Sequence, residues 1–322
     1  MKEIQEIAPL LVGSCGFCEL NGYTLPTRFT SEQLDFYSGR SDYDFTRSHS
    51  PTGIRLDFTT DAESVSFDFL ITGVPYVATS GLDVREDGVF CDHLTLSAKE
   101  RDKVQHYAYT RRKKERSRLT IDLPHGLIFI PFHFDLGDAR PVRQPDKLAL
   151  FYGDSITHSA YIPTPSVSWT GMTAEALHAR ELNRGIGSFF FCRDSLPKEA
   201  DCRPDYLFVE YGFNDLALFD APTRRENAEA YLGRLKELYP DASVWVITTD
   251  FGEGAGKTPE AREIRHAYCD EVEEIAQTRG MSVLRGERLV PTLPVFFVSD
   301  FVHLSEAGSG VFAHNIVKYM EE

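Results

Sequence analysis

The hydrophobic pattern of this chain changes near residue 140. Over residues 37–138, apolar side chains alternate with polar ones in runs such as 54–58 and 65–69, and turn residues separate these runs. A period of two predicts strands with one buried face, and no helical stripe interrupts them. We therefore predict an antiparallel β-sandwich, jelly-roll-like, over residues 1–140.

Residues 139–146 contain two prolines and little apolar content, which is typical of a linker between independently packed domains. Beyond this linker, short buried runs alternate with segments of helical spacing. The predicted strands are 148–152, 206–211 and 244–248, and the predicted helices are 168–180, 224–238 and 259–277. This alternation predicts an α/β domain over residues 146–322, in which helical layers enclose a parallel sheet. Functional residues are then expected at the carboxyl ends of the strands.

Charge and apolar content exclude several classes of partner. The chain has 34 basic and 49 acidic side chains, for a formal net charge of -15, so we expect no binding to nucleic acid or to an anionic membrane surface. The basic cluster at 111–118 contains no interleaved aromatic residues and is expected to be a solvated loop or hairpin. Glu3 and Glu6 interrupt the first apolar stretch, where a secretory signal needs an unbroken one, so we expect a cytoplasmic protein.

The cysteine pattern gives only a weak indication of a metal site. Of the six cysteines, only Cys15 and Cys18 are closely spaced, and no second pair or histidine pair accompanies them at zinc-binding spacing. We expect reduced thiols without a functional role. No Gly-rich loop suited to phosphate is evident either, so neither a metal nor a cofactor is expected.

The motif Gly153-Asp154-Ser155 follows directly on the predicted strand 148–152. Glycine permits a sharp turn, and a helix beginning after Ser155 would point its first N–H groups at a bound oxyanion, as a nucleophile requires. A serine that merely caps a helix after a strand is the alternative. This motif by itself does not decide between the two.

Two further motifs occupy comparable positions. Asn214 follows the predicted strand 206–211, where its amide suits an oxyanion donor, although Asn is also a common turn former. Asp300 and His303 precede a helix predicted to begin near Ser305. Their spacing lets the carboxylate bind one imidazole nitrogen while the other acts as a base, whereas a surface histidine is the alternative. Because all these residues occur in one α/β domain, we predict a serine hydrolase.

Three short motifs of the second domain resemble the first, third and fifth sequence blocks of the SGNH/GDSL hydrolase family. They are Gly153-Asp154-Ser155, Gly212-x-Asn214-Asp215 and Asp300-x-x-His303. The resemblance covers about residue 146 to the C-terminus. It implies a three-layer α/β/α flavodoxin-like domain that hydrolyses esters through an acyl-enzyme, with Ser155 as nucleophile, His303 as base and Asp300 as the residue that orients it.

The resemblance also implies an oxyanion hole of three donors. They are the backbone N–H of Ser155, the side chain of Asn214 and a backbone N–H of the second block. Here that block reads Asn183-Arg-Gly-Ile-Gly-Ser188, and an ungapped alignment with the usual Asn-x-Gly-x-x-Gly places Ser188 where the family has glycine. Since a serine retains its N–H, both Gly187 and Ser188 are candidates for this donor.

Residues 43–58 and 74–83 resemble the β-sandwich domain with a Gly-x-Asp motif that precedes some SGNH esterases, carbohydrate esterases among them. This architecture implies a serine esterase that deacylates, and above all deacetylates, a carbohydrate or similar small ester. The alternatives are a lipase or thioesterase for longer acyl chains, and a non-catalytic carbohydrate-binding protein with a vestigial hydrolase domain. The oligomeric state is left open, a homo-oligomer included.

Overall fold

The chain divides into two units in the computed structural model, which describes residues 2–73, 79–252 and 258–322. One unit comprises Met1–Pro145 together with Pro163–Ser166, and the other comprises Asp146–Ile162 and Val167–Glu322. We keep residues 1–140 and 146–322 as the proposed domain bounds. Residues 74–78, which belong to the Gly-x-Asp resemblance, lie outside the described part of the chain.

The first unit consists mainly of antiparallel strands. They are β1 Leu11–Val12, β2 Gly16–Leu20, β3 Tyr23–Thr27, β4 Arg55–Thr60, β5 Ser64–Thr72, β6 Thr79–Glu86, β7 Val89–Ser97, β8 Val104–Thr110, β9 Ser117–Asp122, β10 Ile128–Asp135 and β11 Arg140–Pro141. One sheet has the order β1-β4-β9-β6-β7, with β11 paired to β4, and a second has the order β10-β5-β8. Strands β2 and β3 form a separate hairpin.

Apolar side chains from both larger sheets share one core. Phe58 and Val84 from the first sheet and Phe67 and Phe129 from the second all belong to it. In β5 every second side chain is buried, as the alternating sequence requires. The predicted antiparallel sandwich is therefore confirmed.

Among its described residues, the first unit also contains the α-helices α1 Ser31–Ser38 and α2 Asp42–Ser48. Helix α2 lies within the stretch predicted to hold only strands, so the prediction was wrong there. The Oγ of Ser41 accepts the N–H of Asp44 at 3.0 Å and caps α2. Seven residues are too few for a helical stripe to be visible, and the capping residue Ser41 is the signal that indicates this helix.

The second unit alternates strands and helices. Its strands are β12 Lys147–Gly153, β13 Ala179–Gly185, β14 Tyr206–Glu210, β15 Ser243–Ile247 and β16 Ser282–Leu284. Its helices are α3 Trp169–Ala176, α4 Phe213–Leu218, α5 Ala221–Leu238, α6 Pro259–Gln277, α7 Gly286–Leu289 and α8 Glu306–Met320.

The five strands of this unit form one parallel sheet in the order β13-β12-β14-β15-β16. Counted within the unit this is 2-1-3-4-5, the flavodoxin-like order. Helix α3 packs against α8, and α5 packs against α6. Phe151 and Phe208 of the sheet share a core with Trp169 and Phe312 of the helices, which confirms the three-layer α/β/α prediction. Within the described residues, no helix has the length and apolar character needed to cross a bilayer.

The predicted helix 168–180 is too long. Helix α3 ends at Ala176, and the chain then enters β13 through His178, which has a φ of +50°. Strand β13 was not predicted from the sequence because most of its residues are polar. Glu181 is buried and accepts the Oγ1–H of Thr170 at 2.6 Å, and Asn183 is buried and donates to the Thr157 carbonyl at 2.8 Å.

The turn after Ser155 also differs from the predicted helix. His158 N–H donates to the Asp154 carbonyl at 2.9 Å, which forms one helical turn. The turn then ends because Ala160 N–H donates to the Ser155 carbonyl at 3.1 Å and Ser159 N–H to the Ile156 carbonyl at 3.2 Å. These two bonds form a Schellman motif, in which the left-handed position favours glycine. Here Ser159 occupies it, with a φ of +52°.

Replacing Ser159 by glycine should stabilise the second unit by about 1 kcal/mol, because it relieves the left-handed strain and outweighs the greater flexibility of unfolded glycine. It also removes a buried hydroxyl that has no hydrogen-bond partner among the described residues. Thermal unfolding followed by tryptophan fluorescence measures this, because Trp169 and Trp245 both lie in the second unit. We expect Tm to rise by roughly 2–4 °C. Ser159→Ala, which keeps the Cβ, should gain less, and an equal gain would contradict the strain argument.

Candidate active site

The residues predicted to act together lie where the strand order reverses. The first strand of the unit, β12, pairs with β13 on one side and β14 on the other, and a crevice opens at such a point in this class of sheet. Ser155 follows β12, and Asn214 lies in α4 directly after β14. Gly153 allows the sharp approach, because a Cβ there would lie 2.0 Å from Thr157 Oγ1 and 2.6 Å from the Glu210 carbonyl oxygen.

Ser155, His303 and Asp300 form a hydrogen-bonded chain. The Oγ of Ser155 lies 2.7 Å from Nε2 of His303, and Nδ1 of His303 lies 2.6 Å from Oδ2 of Asp300. The other oxygen of Asp300 accepts the N–H groups of Val302 at 2.8 Å and of His303 at 3.0 Å. The turn before α8 thus fixes the carboxylate against the imidazole.

The electrostatics of this chain of residues favour a neutral imidazole. Burial lowers the pKa of His303, and Asp300 only partly opposes this effect. Burial also raises the pKa of Asp300, but hydrogen bonds from Val302 N–H and from His303 outweigh it and hold that pKa below its ordinary value. At neutral pH an ionised Asp300 therefore accepts the Nδ1–H of His303, and Nε2 is left to accept a proton from Ser155.

The two candidates in the second block, Gly187 and Ser188, differ in burial and in backbone conformation. Gly187 is buried, and its N–H lies 3.3 Å from Nδ1 of His158, a fully buried histidine that sequence reasoning did not assign a role. Ser188 is exposed and has a φ of +61°, the left-handed conformation that glycine adopts without strain. The N–H of Gly187 is therefore engaged by His158 in this state.

The amide of Asn214 faces acceptors within the protein. Its Nδ2 lies 3.0 Å from Oδ2 of Asp154 and 2.9 Å from the carbonyl oxygen of Phe189. An amide nitrogen has two hydrogens, so both are engaged in this state. To stabilise an oxyanion, Asn214 has to transfer one of them from its present acceptor.

Three buried acids lie around the turn, and sequence reasoning missed their importance. Asp154, Glu210 and Asp215 are each at most 1% exposed. Burial raises the pKa of Asp154 and raises that of Asp215 to about 7, and burial together with repulsion from Asp154 raises the pKa of Glu210 further. A glutamate at the end of the apolar strand β14 was the signal that could have identified this group.

A small cavity lies beside the nucleophile. It measures about 10 Å³, the room of one water molecule, and its lining includes Ser155, His303, Tyr161 and Trp169. The ring of Tyr161 lies 4.1 Å from the ring of His303, centroid to centroid. The Tyr161 ring therefore packs against the imidazole beside this cavity.

Other groups that suggest chemistry lie away from this turn. The six cysteines form no disulfide in the described structure. Asp250, His266 and Glu287 bring one possible ligand atom each within 4.8 Å of the others, but Asp250 is already paired with Arg285 at 2.7 Å. A cation there would compete with the guanidinium.

Comparison with known proteins is consistent with this geometry. Residues 151–311 match the GDSL-like lipase/acylhydrolase family, and no curated protein sequence matches significantly. Among solved structures, the chain is similar to a salicylyl-acyltransferase from a tetracycline biosynthetic pathway, at 17% identity and a TM-score of 0.82 over 99% of this chain and 96% of that one.

Two carbohydrate esterases are also similar in structure. An acetyl xylan esterase from Butyrivibrio proteoclasticus has 14% identity and a TM-score of 0.66, over 99% of this chain and 97% of that one. A family 2 carbohydrate esterase from Myceliophthora fergusii has 13% identity and a TM-score of 0.66, over 85% of this chain and 95% of that one. At these identities the similarity concerns the fold.

Proposed function

The chain belongs to the GDSL-like lipase/acylhydrolase family, and from this premise we propose that it is a serine esterase that removes a short acyl group, above all acetyl, from a carbohydrate or similar small alcohol. The observation that carries the proposal is the contact of 2.7 Å between Ser155 Oγ and His303 Nε2, with Asp300 on the other imidazole nitrogen. A hydroxyl, a base and an orienting carboxylate in this arrangement are what nucleophilic acyl transfer requires.

The reaction proceeds in two halves. His303 takes the Ser155 proton as Oγ attacks the ester carbonyl, and Asp300 stabilises the imidazolium. The tetrahedral intermediate then collapses, the C–O bond to the alcohol breaks, and His303 gives its proton to the departing alcohol. Water attacks the acyl-enzyme by the same route and releases the acid, so no redox partner is needed.

The oxyanion is stabilised by three donors in this proposal. They are the N–H groups of Ser155 and Ser188 and the amide of Asn214. Asn214 releases its bond to the Phe189 carbonyl for this purpose. A charged oxyanion is a stronger acceptor than a neutral carbonyl, so this exchange is favourable once the oxyanion forms.

The short acyl group of the proposal is supported by the fold shared with the acetyl xylan esterase. The substrate series from acetate to octanoate distinguishes this proposal from the lipase or thioesterase alternative. The carbohydrate part of the proposal is supported by the fold shared with the two carbohydrate esterases. The presence of Ser155, His303 and Asp300 in one hydrogen-bonded chain argues against a vestigial hydrolase domain.

The experiment that tests this function combines labelling with a substrate series. A fluorophosphonate probe followed by peptide mapping should modify Ser155, and kcat/KM should fall steadily from p-nitrophenyl acetate to the octanoate. Release of acetate from acetylated xylo-oligosaccharides tests the alcohol part. A preference for octanoate, or a wild-type protein that the probe leaves unlabelled, would contradict the proposal.

The block-two donor gives a separate prediction. If Ser188 acts through its backbone N–H, both Ser188→Gly and Ser188→Ala should keep kcat within about threefold of the parent, since neither removes that N–H. Ser188→Gly should also raise Tm relative to the parent, because the φ of +61° at this position suits glycine better than serine. A loss of about 10²-fold in Ser188→Ala would show instead that the hydroxyl is the donor.

A further inference from the structure

The side chain of Asp154 accepts hydrogen bonds from two N–H donors. Its Oδ1 accepts the N–H of Ile156 at 3.0 Å, and its Oδ2 accepts the amide of Asn214 at 3.0 Å. Asp154 directly precedes Ser155, and it is 1% exposed. Because both oxygens accept N–H donors, the pattern is that of an ionised carboxylate.

Glu210 shows the complementary pattern. It is fully buried at the end of β14, opposite Gly153 in the parallel register. Its Oε2 accepts the hydroxyl of Thr157 at 3.0 Å, whereas its Oε1 accepts a hydrogen bond from none of the described residues. The pKa of Glu210 is raised by burial, then by repulsion from Asp154 and by a hydrogen bond between the two side chains, so the two carboxyl groups lie close to each other.

Two carboxyl groups can hydrogen-bond to each other only if one of them carries a proton. Asp154 already accepts two N–H groups, so the proton belongs on Glu210, at the oxygen that no donor reaches. Burial raises the pKa of both groups, and Asp154 raises that of Glu210 further, which supports the shared proton. Burial, and repulsion from Asp154, also raise the pKa of Asp215 of α4.

The pair of Asp154 and Glu210 determines the orientation of the Asn214 side-chain amide. An ionised Asp154 binds the nitrogen end of the amide, because the opposite orientation would place the amide oxygen against a carboxylate. With one hydrogen held by Asp154, the second lies on the Phe189 carbonyl at 2.9 Å. That second hydrogen is the one available to an oxyanion.

We propose that Glu210 is a positioning residue, which as the protonated partner of Asp154 keeps that carboxylate ionised and so holds the Asn214 amide in the orientation that the oxyanion needs. This inference rests on the proposed function, since it presumes that Asn214 stabilises an oxyanion formed at Ser155. Glu210 itself does not touch the reacting atoms. It acts through Asp154, which acts through Asn214.

The test compares an isosteric and an apolar replacement of Glu210 in the full chain. Glu210→Gln keeps a donor for Asp154 and an acceptor for Thr157, and should lose at most about threefold in kcat on p-nitrophenyl acetate. Glu210→Met removes the donor and should lower kcat by about 10–100-fold with KM nearly unchanged, less than the 10²–10³-fold expected for loss of an oxyanion donor itself. Glu181→Met is the matched control, because Glu181 is a buried glutamate of β13, which is separated from β14 by β12, and this variant should keep its kcat.

A double-mutant cycle distinguishes positioning from a general structural role. In an Asn214→Ala background, Glu210→Met should cause no further loss of kcat, because the residue through which it acts is gone. Equal losses in both backgrounds, or full activity of Glu210→Met, would overturn the proposal. Fluorophosphonate labelling of the wild type distinguishes failure of the Glu210 proposal from failure of the esterase proposal. If Ser155 is labelled, the esterase proposal is supported even when the Glu210 proposal fails.

An infrared measurement tests the proton directly and requires only the isosteric variant. The difference spectrum between wild type and Glu210→Gln at pH 8 should contain the carbonyl stretch of a protonated carboxylic acid. A wild-type spectrum that shows only ionised carboxylate at this position would overturn the proposal even if Glu210→Met does not fold.

Discussion

Replacing Ser155 by alanine should lower kcat/KM for p-nitrophenyl acetate by a factor of about 10⁴–10⁶, the largest effect expected of any single substitution. The reason is geometric, because Ser155 Oγ is the hydroxyl that lies 2.7 Å from His303 Nε2. Without this hydroxyl no acyl-enzyme forms, and the residual rate of hydrolysis depends only on the oxyanion donors and on substrate binding. The measurement is steady-state hydrolysis, with fluorophosphonate labelling as a second readout that should disappear.

A control for this prediction is Ser166→Ala, which removes a hydroxyl of the first unit and should leave the rate unchanged. Ser155→Ala should also keep the Tm of the parent within a few degrees, since the side chain is small. Turnover of Ser155→Ala at the parent rate would show that another group is the nucleophile.

Replacing Asp300 by asparagine should lower kcat by about 10²–10⁴-fold. The carboxylate accepts the Nδ1–H of His303 and so fixes the tautomer whose Nε2 can take a proton. An asparagine can present its own N–H to Nδ1, which places the proton of the imidazole on the wrong nitrogen. It also removes the negative charge that stabilises the imidazolium in the transition state.

The same variant gives a pH prediction with a definite sign. In the parent, kcat/KM should rise with pH as His303 loses its proton, with a midpoint below 6.5 because burial lowers the pKa of His303. Asp300 opposes that lowering, so Asp300→Asn should move the midpoint to a still lower pH. Asp241→Asn, at an exposed position of the same unit, controls for a general change in charge. A midpoint that moves upward in Asp300→Asn would contradict the assignment.

Elements with strong local signals were predicted closely. Helix α6 spans Pro259–Gln277, the predicted range, because Thr258 caps it and Pro259 suits the first turn. Ser305 caps α8 where the sequence indicated a start. The strands β12, β14 and β15 lie within one residue of their predicted ranges, since continuous apolar runs of this length are typical of buried parallel strands.

Elements without local signals were missed or misplaced. Strand β13 carries buried Glu181, Asn183 and Arg184, and its polar sequence resembles that of a surface segment. These side chains are buried because partners such as Thr170 and Asp201 come from elsewhere in the chain. The turn after Ser155 ends at Ser159, although no glycine or proline marks it.

The amino-acid sequence alone determined the order of the elements and the different hydrophobic periodicity of each domain. It also determined which polar residues follow the strands of the second domain. Those features depend on local periodicity and on residue chemistry, which a linear sequence contains. Only the tertiary structure decided that Ser155 meets His303 across 148 positions, that Gly187 N–H is already engaged, and that Glu210 lies against Asp154. Each of these depends on which donors and acceptors meet in space, and a hydrogen-bonding group engaged by one partner is not free for another.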